Sequence, residues 1–402
     1  MADRATADAV PVPTVSRAIP KGVWALGIVS LLMDTSSEMI HSLLPVFLTS
    51  VLGVSALSVG VIEGIAEATA AITKVFSGAI SDRVGQRKPL LLLGYGLAAL
   101  TKPIFALAPT VGWVVGARFA DRFGKGIRGA PRDALVADLT PPPLLGAAFG
   151  LRQSLDTVGA FAGPLVAILL MSLTSDAYRL VFWIATIPAL LAVLLIVVGI
   201  HEPAAHRARQ ANRLSWKDVN RFSAKYWTVV GIAMLMTLAR FSEGFLLLRA
   251  QSVGLEAAWV PAVFVAMNVV YAGSSYPVGL LSDHVGRRGL LLGGFAVLIF
   301  ADLVLAHAAD IWWVMVGVAL WGLHMGMTQG LLAALVADSA SAELRGTAFG
   351  VFNLASGVAL LLASVIAGGL WTAVGPAATF EAGAAFTVAA LLALLFWRGG
   401  WR

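Results

Sequence analysis

The 402-residue sequence contains no cysteine and few charged residues. A chain without cysteine forms no disulfide, provides no thiolate to a metal and carries out no thiol redox chemistry. Charged residues make up 12% of the sequence and hydrophobic residues 59%, whereas soluble domains are roughly 25% charged. These proportions exclude an ordinary soluble domain and indicate an integral membrane protein.

Long polar segments are also scarce, because apolar segments recur along the whole chain. Most of them approach or exceed the roughly 20 residues that a helix needs to cross a bilayer. The sequence therefore predicts an all-α integral membrane protein with twelve transmembrane helices. The predicted spans are 22–52, 58–80, 89–108, 111–138, 147–173, 178–200, 226–251, 258–281, 288–308, 311–337, 346–372 and 376–397.

Basic residues are concentrated on alternate connections between these spans, as the positive-inside rule requires. The net charge of +6 is therefore explained by membrane topology, and we expect no nucleic-acid partner. Both termini are expected in the cytoplasm, with the protein in the inner (plasma) membrane of a bacterial-type cell. The basic residues on the cytoplasmic side include Arg83, Arg87, Lys88, Arg287, Arg288, Arg345 and six residues of 201–226. On the other side the basic residues are only Arg179 and Arg249.

Two motifs occur twice at nearly the same spacing, which indicates a duplication. The first is Gly78-Ala-Ile-Ser-Asp82-Arg83-Val-Gly85-Gln-Arg87-Lys88, and 201 residues later stands Gly279-Leu-Leu-Ser-Asp283-His284-Val-Gly286-Arg287-Arg288. The second, Ala134-Leu-Val-Ala-Asp138, is repeated 200 residues later up to Asp338. Two parallel halves of six spans each are a transporter architecture. The expected domains are an N-terminal tail (1–21), two six-helix bundles (22–200 and 226–397), a cytoplasmic linker (201–225) and a C-terminal tail (398–402).

Over residues 20–400 the chain resembles the major facilitator superfamily, whose loop between helices 2 and 3 carries the first motif. In that family the motif latches the two halves in one state of alternating access. The resemblance implies a secondary transporter that acts as a monomer, needs no cofactor and is not an enzyme. It implies a conformational latch at Gly78, Asp82, Arg83, Gly85, Arg87, Asp283 and Arg287. One departure is Leu145, which stands where the second half has Arg345, so no latch is expected in that loop.

Span 5 contains Gly159-Ala-Phe-Ala-Gly163-Pro164, which resembles the beginning of the family's antiporter motif. Small residues let two helices approach closely, and proline bends a helix. The family motif continues with a glycine pair, but this chain continues with Leu165-Val-Ala-Ile168. The motif favours export over uptake, and simple helix packing by Gly159, Gly163 and Pro164 is the alternative interpretation.

Several predicted spans contain ionisable residues, although a charge at the centre of a spanning helix costs about 2.5–3.5 kcal/mol on insertion scales. In each span these residues share one side of the helix. Summed over spans 1, 2 and 4, their formal charges are zero with His41 neutral. We therefore expect a buried network between spans 1, 2 and 4. Its members are Asp34, Glu38 and His41 in span 1, Glu63, Glu67 and Lys74 in span 2, and Arg118, Asp121, Arg122, Lys125, Arg128, Arg132 and Asp133 in span 4.

We predict that Asp34 and Glu38 bind the coupled proton, with Arg122, Lys125 or Arg128 as the counter-charge. A carboxylate beside a mobile cation changes its proton affinity when its surroundings change. A static salt-bridge network is the alternative interpretation. The second half contains fewer ionisable residues and is expected to shape the substrate pocket. Predicted substrate contacts are Asp34, Glu38, His41, Arg118, Arg132, Arg240, Glu243, His324 and Met327.

The sequence leaves several substrate classes open. Aromatic residues such as Phe241 and Trp321 favour a drug or metabolite, and this predicts a proton-coupled efflux antiporter of a small molecule. Asp34, Glu38 and His41 together offer ligands to a divalent metal or metal chelate, but the cations of span 4 oppose a bare ion. The basic stripe favours an organic anion or phosphorylated metabolite. A membrane sensor without transport is a further alternative.

Overall fold

The computed structural model describes residues 19–84, 86–141, 144–202, 221–285, 287–339 and 345–396. Helices are the regular elements throughout these ranges. They are α1 (Lys21–His41), α2 (Leu44–Val46), α3 (Ala56–Val84), α4 (Lys88–Leu107), α5 (Val111–Leu139), α6 (Leu145–Leu173), α7 (Tyr178–Gly199), α8 (Ala224–Ala239), α9 (Gly244–Ser252), α10 (Ala262–Val285), α11 (Arg287–His307), α12 (Ile311–Ser339), α13 (Arg345–Ala373) and α14 (Pro376–Phe396). Most of the predicted linker and of both predicted tails lies outside the described residues.

These elements make up twelve spans, because α1 continues through α2 and a π-helical turn (Phe47–Val51), and α8 is continued by α9. In the described ranges, eleven helices are long and apolar enough to cross a membrane. The twelfth span is α5, which is 29 residues long but contains the predicted charged stripe. It packs against α3 and α4, so its charges lie within the protein. The predicted all-α fold with twelve spans is confirmed.

The helices form two groups that repeat along the chain. Apart from α3 and α13, which pack most extensively against each other, helices α1 to α7 pack mainly against one another, and so do α8 to α14. Helices α5 and α12 begin 200 residues apart and are both 29 residues long, as are α6 and α13. The groups meet where α3 runs along α13 and where α6 packs against α10. This arrangement is two pseudo-symmetric six-span bundles.

The two bundles touch at the end of the helices remote from the basic connections, which we call the closed end. There the Leu57 amide donates a hydrogen bond to Thr372 Oγ1 at 3.1 Å, and Gln251 Nε2 donates to Ser50 Oγ at 2.6 Å. A Cβ at Gly368 would lie 2.7 Å from the Ala56 carbonyl oxygen. The backbones of α3 and α13 are therefore in close contact at this end.

Spans 1 and 7 were predicted as continuous helices, and the structure interrupts both. Helix α1 ends at His41, and Pro45 stands near the start of α2, where its missing N–H is not needed. In span 7 residues 240–243 separate α8 from α9, and Ser242 bonds to Ser364 Oγ through its amide at 3.2 Å. Hydropathy averaged over a span does not reveal such breaks, because the helical residues on either side keep the average apolar.

Candidate functional site

A cavity lies between the two bundles and has two lobes. The closed-end lobe has a volume of about 380 Å³ and the basic-end lobe about 530 Å³. Helices of both bundles line each lobe. The residues common to both lobes are Glu38, Glu67, Lys125, Ala160, Thr237, Asn268 and Leu360.

The three ionisable residues of α1 all lie on the cavity wall. Asp34 lines the basic-end lobe, His41 lines the closed-end lobe, and Glu38 lines both. Their common side of α1 therefore faces the cavity, because residues three and four apart share one side of a helix. The side chains of Asp34 and Glu38 are 25% and 19% exposed, so both carboxylates are accessible from the cavity.

Two glycines of α6 hold this part of α1 in place. A Cβ at Gly159 would lie 3.1 Å from Asp34 Cβ, and one at Gly163 would lie 2.8 Å from Glu38 Cβ. The nearest atoms to both added carbons are backbone oxygens of α1, at 2.6 Å, which do not move aside as a side-chain tip does. Pro164 follows inside the same helix. The predicted antiporter-like motif thus stands directly behind the two carboxylates.

A chain of ion pairs extends from the closed-end lobe into the first bundle. His41 lies between two carboxylates, with Nδ1 3.5 Å from Glu38 Oε2 and Nε2 3.3 Å from Glu63 Oε2. Arg118 Nη2 donates to the same Glu63 oxygen at 2.6 Å. Glu63 and Arg118 are both buried, so this ion pair lies behind the cavity wall and stabilises the position of the wall.

The chain of ion pairs continues deeper into the first bundle along α5. Arg122 Nη1 lies 3.3 Å from Glu67 Oε1 and Nε lies 3.4 Å from Asp121 Oδ2. Asp121 in turn accepts a hydrogen bond from Lys102 Nζ at 2.9 Å, and Lys102 also donates to Ser37 Oγ at 3.0 Å. Lys102 is almost fully buried. Each of these charges therefore has an opposite charge beside it, as burial requires.

A second group of ion pairs lies at the basic end. Arg132 Nη1 is 3.4 Å from Asp156 Oδ1, and Arg152 Nη1 is 2.6 Å from Asp156 Oδ2. Between the two groups, Arg128 Nη2 lies 3.8 Å from Asp34 Oδ1. The Arg128 guanidinium also lies over the Tyr95 ring, 4.5 Å from its centroid. Asp34 is thus held by one long ion pair that is open to the cavity.

Sequence reasoning missed three members of these networks, namely Lys102, Arg152 and Asp156. The signal was available, because each is an ionisable residue within a predicted span. Their partners lie on other helices, however, and periodicity within one helix does not indicate a partner on another. The expected network of spans 1, 2 and 4 therefore also includes spans 3 and 5.

The second bundle presents a sparser set of polar groups to the cavity. Arg240 and Glu243 lie in the break between α8 and α9, and both line the closed-end lobe. Within the described part of the chain, the Arg240 guanidinium makes no hydrogen bond or ion pair, and its Nε is buried. Phe241, Phe264 and Trp321 form the apolar part of the same wall.

Three predicted substrate contacts lie elsewhere. Arg118 is behind the wall and binds Glu63. His324 is fully buried, and its Nδ1 lies 2.8 Å from the Gly294 carbonyl oxygen on α11. Met327 packs against Gly293 and Gly294 of the same helix. These side chains join α12 to α11 or α5 to α3, which is the reason that they do not line the cavity.

The structure separates the residues proposed for a metal. Asp34 is paired with Arg128, whereas the closely spaced ligand atoms, within 4.8 Å of one another, belong to His41, Glu63 and Glu67. Two guanidinium groups already bind the carboxylates of this cluster. The cluster is therefore satisfied by positive charge from the protein itself, which does not fit a bare divalent cation.

The predicted latch is only partly within the described residues. Gly85 lies outside them, as do the side chains of Asp82, Arg83, Asp283 and Arg287. Arg87 Nε donates to Asp138 Oδ2 at 3.1 Å, which ties the start of α4 to the end of α5. The amides of Arg87 and Lys88 donate to the carboxylate of Glu202. The Glu202 carboxylate thus binds the positive end of α4.

Comparison with known proteins places the chain among transporters. A family profile described as Major Facilitator Superfamily matches residues 26–364 and 227–400. An uncharacterised MFS-type transporter of Methanocaldococcus jannaschii is 32% identical over 388 residues, which cover 94% of this chain and 96% of that protein. The class C tetracycline resistance protein of Escherichia coli is 25% identical over 312 residues, covering 72% and 74% of the two chains.

Solved structures share the fold. The crystal structure of the nucleoside transporter NupG, determined for a point mutant, superposes with a TM-score of 0.79 at 14% identity. The match covers 93% of this chain and 98% of that one. A structural match at such low sequence identity establishes the arrangement of the helices and says nothing about the substrate.

Proposed function

Because the chain belongs to the Major Facilitator Superfamily, we propose that it is a secondary transporter that moves a small solute by alternating access and couples this movement to protons. The observation that carries the proposal is the position of Asp34 and Glu38. Both are partly exposed carboxylates on the cavity wall. Asp34 lies 3.8 Å from the Arg128 guanidinium, and Glu38 lies 3.5 Å from His41, which is a cation when protonated. Such groups bind a proton in exchange for an ion pair.

Alternating access requires that the proton and the solute each favour one conformer, since a ligand that binds all states equally shifts nothing. The ion pair of Asp34 with Arg128 meets this requirement. It joins α1 to α5, so a change in the distance between these helices changes the charge beside Asp34. In the conformation described here the bundles are in contact at the closed end, and with the basic connections in the cytoplasm this state is inward-facing.

We propose export as the direction of solute movement. The proposal is supported by the Gly159–Pro164 motif, which packs against α1 at Asp34 and Glu38, and by the similarity to a tetracycline resistance protein. Import of the same solute with protons is the alternative outcome. The sign of the proton movement that accompanies solute movement distinguishes the two directions.

The experiment uses the full chain in proteoliposomes loaded with a pH-sensitive dye. A panel of solutes is added, namely benzoate, benzylamine, a sugar phosphate and a divalent cation. We expect at least one solute to cause a change in internal pH, and an imposed pH gradient to drive its accumulation. Asp34→Asn and Glu38→Gln should abolish accumulation and retain exchange of labelled solute, because exchange needs no net proton transfer.

Glu381→Gln is the matched control, because this carboxyl is 53% exposed and lies outside the cavity. It should accumulate solute at the wild-type rate. If Asp34→Asn and Glu38→Gln both accumulate solute as fast as the wild type, these carboxylates do not couple the proton. If no solute moves with protons in either direction, the proposed coupling is wrong.

A further inference from the structure

We infer that the closed-end lobe binds a small organic anion, with its carboxylate between Lys125 of α5 and Arg240 of the second bundle. This inference rests on the proposed transport function and names the substrate class. Both residues line the same lobe of about 380 Å³. One comes from each bundle, so an anion bound between them contacts both halves of the transporter.

The argument begins with the pairing of the charges in this lobe. Arg122 is paired with Glu67 at 3.3 Å, and Glu38 contacts His41 at 3.5 Å. Among the described residues, neither Lys125 nor Arg240 has an ion-pair partner within 4.0 Å. Glu243 is the corresponding carboxylate without such a partner. With His41 positively charged, the lobe is lined by four cationic and three acidic side chains, so a single negative charge on a solute balances the difference.

The position of Arg240 supports a binding role. It stands where α8 ends, and residues 240–243 separate this helix from α9. Interrupted helices within a membrane span are tolerated where they are buried in protein or line a cavity. The Arg240 Nε is buried without a hydrogen-bond partner in the described chain. A buried guanidinium nitrogen without a hydrogen-bond partner is costly, and a carboxylate satisfies the planar fork of arginine well.

The rest of the lobe indicates the body of the solute. Phe241, Phe264 and Trp321 line it beside Arg240, and the Phe241 and Trp321 rings are 5.6 Å apart. Aromatic walls with a few polar groups are typical of sites for small organic molecules, whose pockets have volumes of roughly 300–1,000 Å³. An aromatic or similarly flat carboxylate meets both the charged and the apolar surface.

Membrane potential adds to the proposed direction. A monovalent anion that leaves the cytoplasm moves down the inside-negative potential, which contributes to its export.

The test measures equilibrium binding of radiolabelled benzoate to the purified full chain in detergent at constant pH. Unlabelled benzyl alcohol and benzylamine, which share the ring but lack the negative charge, serve as competitors. We expect saturable benzoate binding that neither competitor displaces. Lys125→Gln and Arg240→Gln should each weaken binding by at least ~10-fold, because each removes half of the cationic pair.

Lys74→Gln is the matched control, because Lys74 lines the basic-end lobe and its charge is removed in the same way. It should bind benzoate within about 2-fold of wild type. Lys125→Arg and Arg240→Lys keep the charge and should retain most of the binding, which guards against misfolded glutamine variants.

Three results would overturn the anion site: no saturable benzoate binding, equal competition by benzyl alcohol, or wild-type binding by both glutamine variants. No gradient is present in this assay, so such a result leaves proton-coupled transport of another solute standing. Conversely, intact benzoate binding without gradient-driven transport contradicts the proposed coupling and leaves the anion site standing.

Discussion

The two bundles have the same arrangement of helices but different buried side chains at equivalent positions. In the first bundle Lys102 of α4 pairs with Asp121 of α5 at 2.9 Å. The residues 200 positions later are Asp302 of α11 and Trp321 of α12. Both are fully buried, and neither Asp302 oxygen nor Trp321 Nε1 has a hydrogen-bond partner in the described part of the chain. Duplication has preserved the helices and replaced an ion pair by an acid beside an aromatic wall.

This contrast indicates a division of tasks. The first bundle has an extensive network of ion pairs, which positions titratable groups on the cavity wall. The second bundle has an apolar wall with Arg240 and Glu243 at a helix break. A proton needs alternative partners on the protein, and a solute needs a surface that fits its body. The asymmetry between the bundles is therefore consistent with the proposed proton-coupled transport.

The largest difference between the bundles is expected when their buried acids are neutralised. Asp121→Asn leaves Lys102 charged and unpaired inside the protein, which costs about 3–5 kcal/mol of the free energy of unfolding. Asp302→Asn removes a carboxyl that has no partner to lose, so the change should stay within about 1 kcal/mol and is expected to be stabilising. Unfolding of both variants in mixed micelles by added denaturant gives the two values.

A double variant serves as the control for this comparison. Lys102→Met with Asp121→Leu replaces the pair by apolar side chains of similar size, and most of the lost stability should return. Equal destabilisation by Asp121→Asn and Asp302→Asn would show that Asp302 has a partner of comparable strength, and the contrast between the bundles would fail.

Only part of this difference between the bundles can be predicted from the sequence. The side of α1 that carries Asp34, Glu38 and His41 was predictable, because it follows from helical periodicity alone. The duplicated motifs likewise predicted the repeated helices. The partner of Lys102 was not predictable, since its helix contains no other charge among residues 89–108. The Arg240 break was missed for a related reason, because the polar contacts that stabilise it come from α13.

The second comparison concerns the glycines behind α1. Gly163 corresponds to Ala363, and Gly159 to Ala359, in the second bundle. Both alanines are buried, so the helices there accommodate a Cβ. Gly163→Ala places a carbon 2.6 Å from the Thr35 carbonyl oxygen and should cost about 1–3 kcal/mol, as overpacking does.

The transport rate of Gly163→Ala should fall by more than the loss of folded protein explains, because the added carbon displaces the segment of α1 that carries Glu38. Ala363→Gly is the reverse change and should cost about 0.5–1 kcal/mol, the usual cost of glycine within a helix, with little effect on transport. The two variants are compared by thermal unfolding and by initial rates in proteoliposomes. Normal transport by Gly163→Ala would show that the fit of α6 against α1 is not needed.

The smallest expected difference concerns a feature that the bundles share. Arg179 Nη2 donates to the Ala108 carbonyl oxygen at 2.9 Å, and Arg249 Nη2 donates to the Ala308 carbonyl oxygen at 2.7 Å. These two arginines lie on α7 and α9, which are not equivalent helices, but they bind the ends of α4 and α11, which are equivalent. Each cation stabilises the negative end of the helix that it contacts, so different helices make the same kind of contact in the two bundles.

Replacing either arginine by methionine should lower the free energy of unfolding by roughly 0.5–3 kcal/mol, the range for hydrogen bonds that include a charged group. The loss should be greater for Arg249, which is less exposed than Arg179 and also donates through Nε to Leu305 at 2.8 Å. Lysine at the same positions keeps the charge but loses the fork, and should recover part of the stability. A larger loss at Arg179 would mean that water satisfies the carbonyls of α11 better than those of α4, in spite of the deeper burial of Arg249.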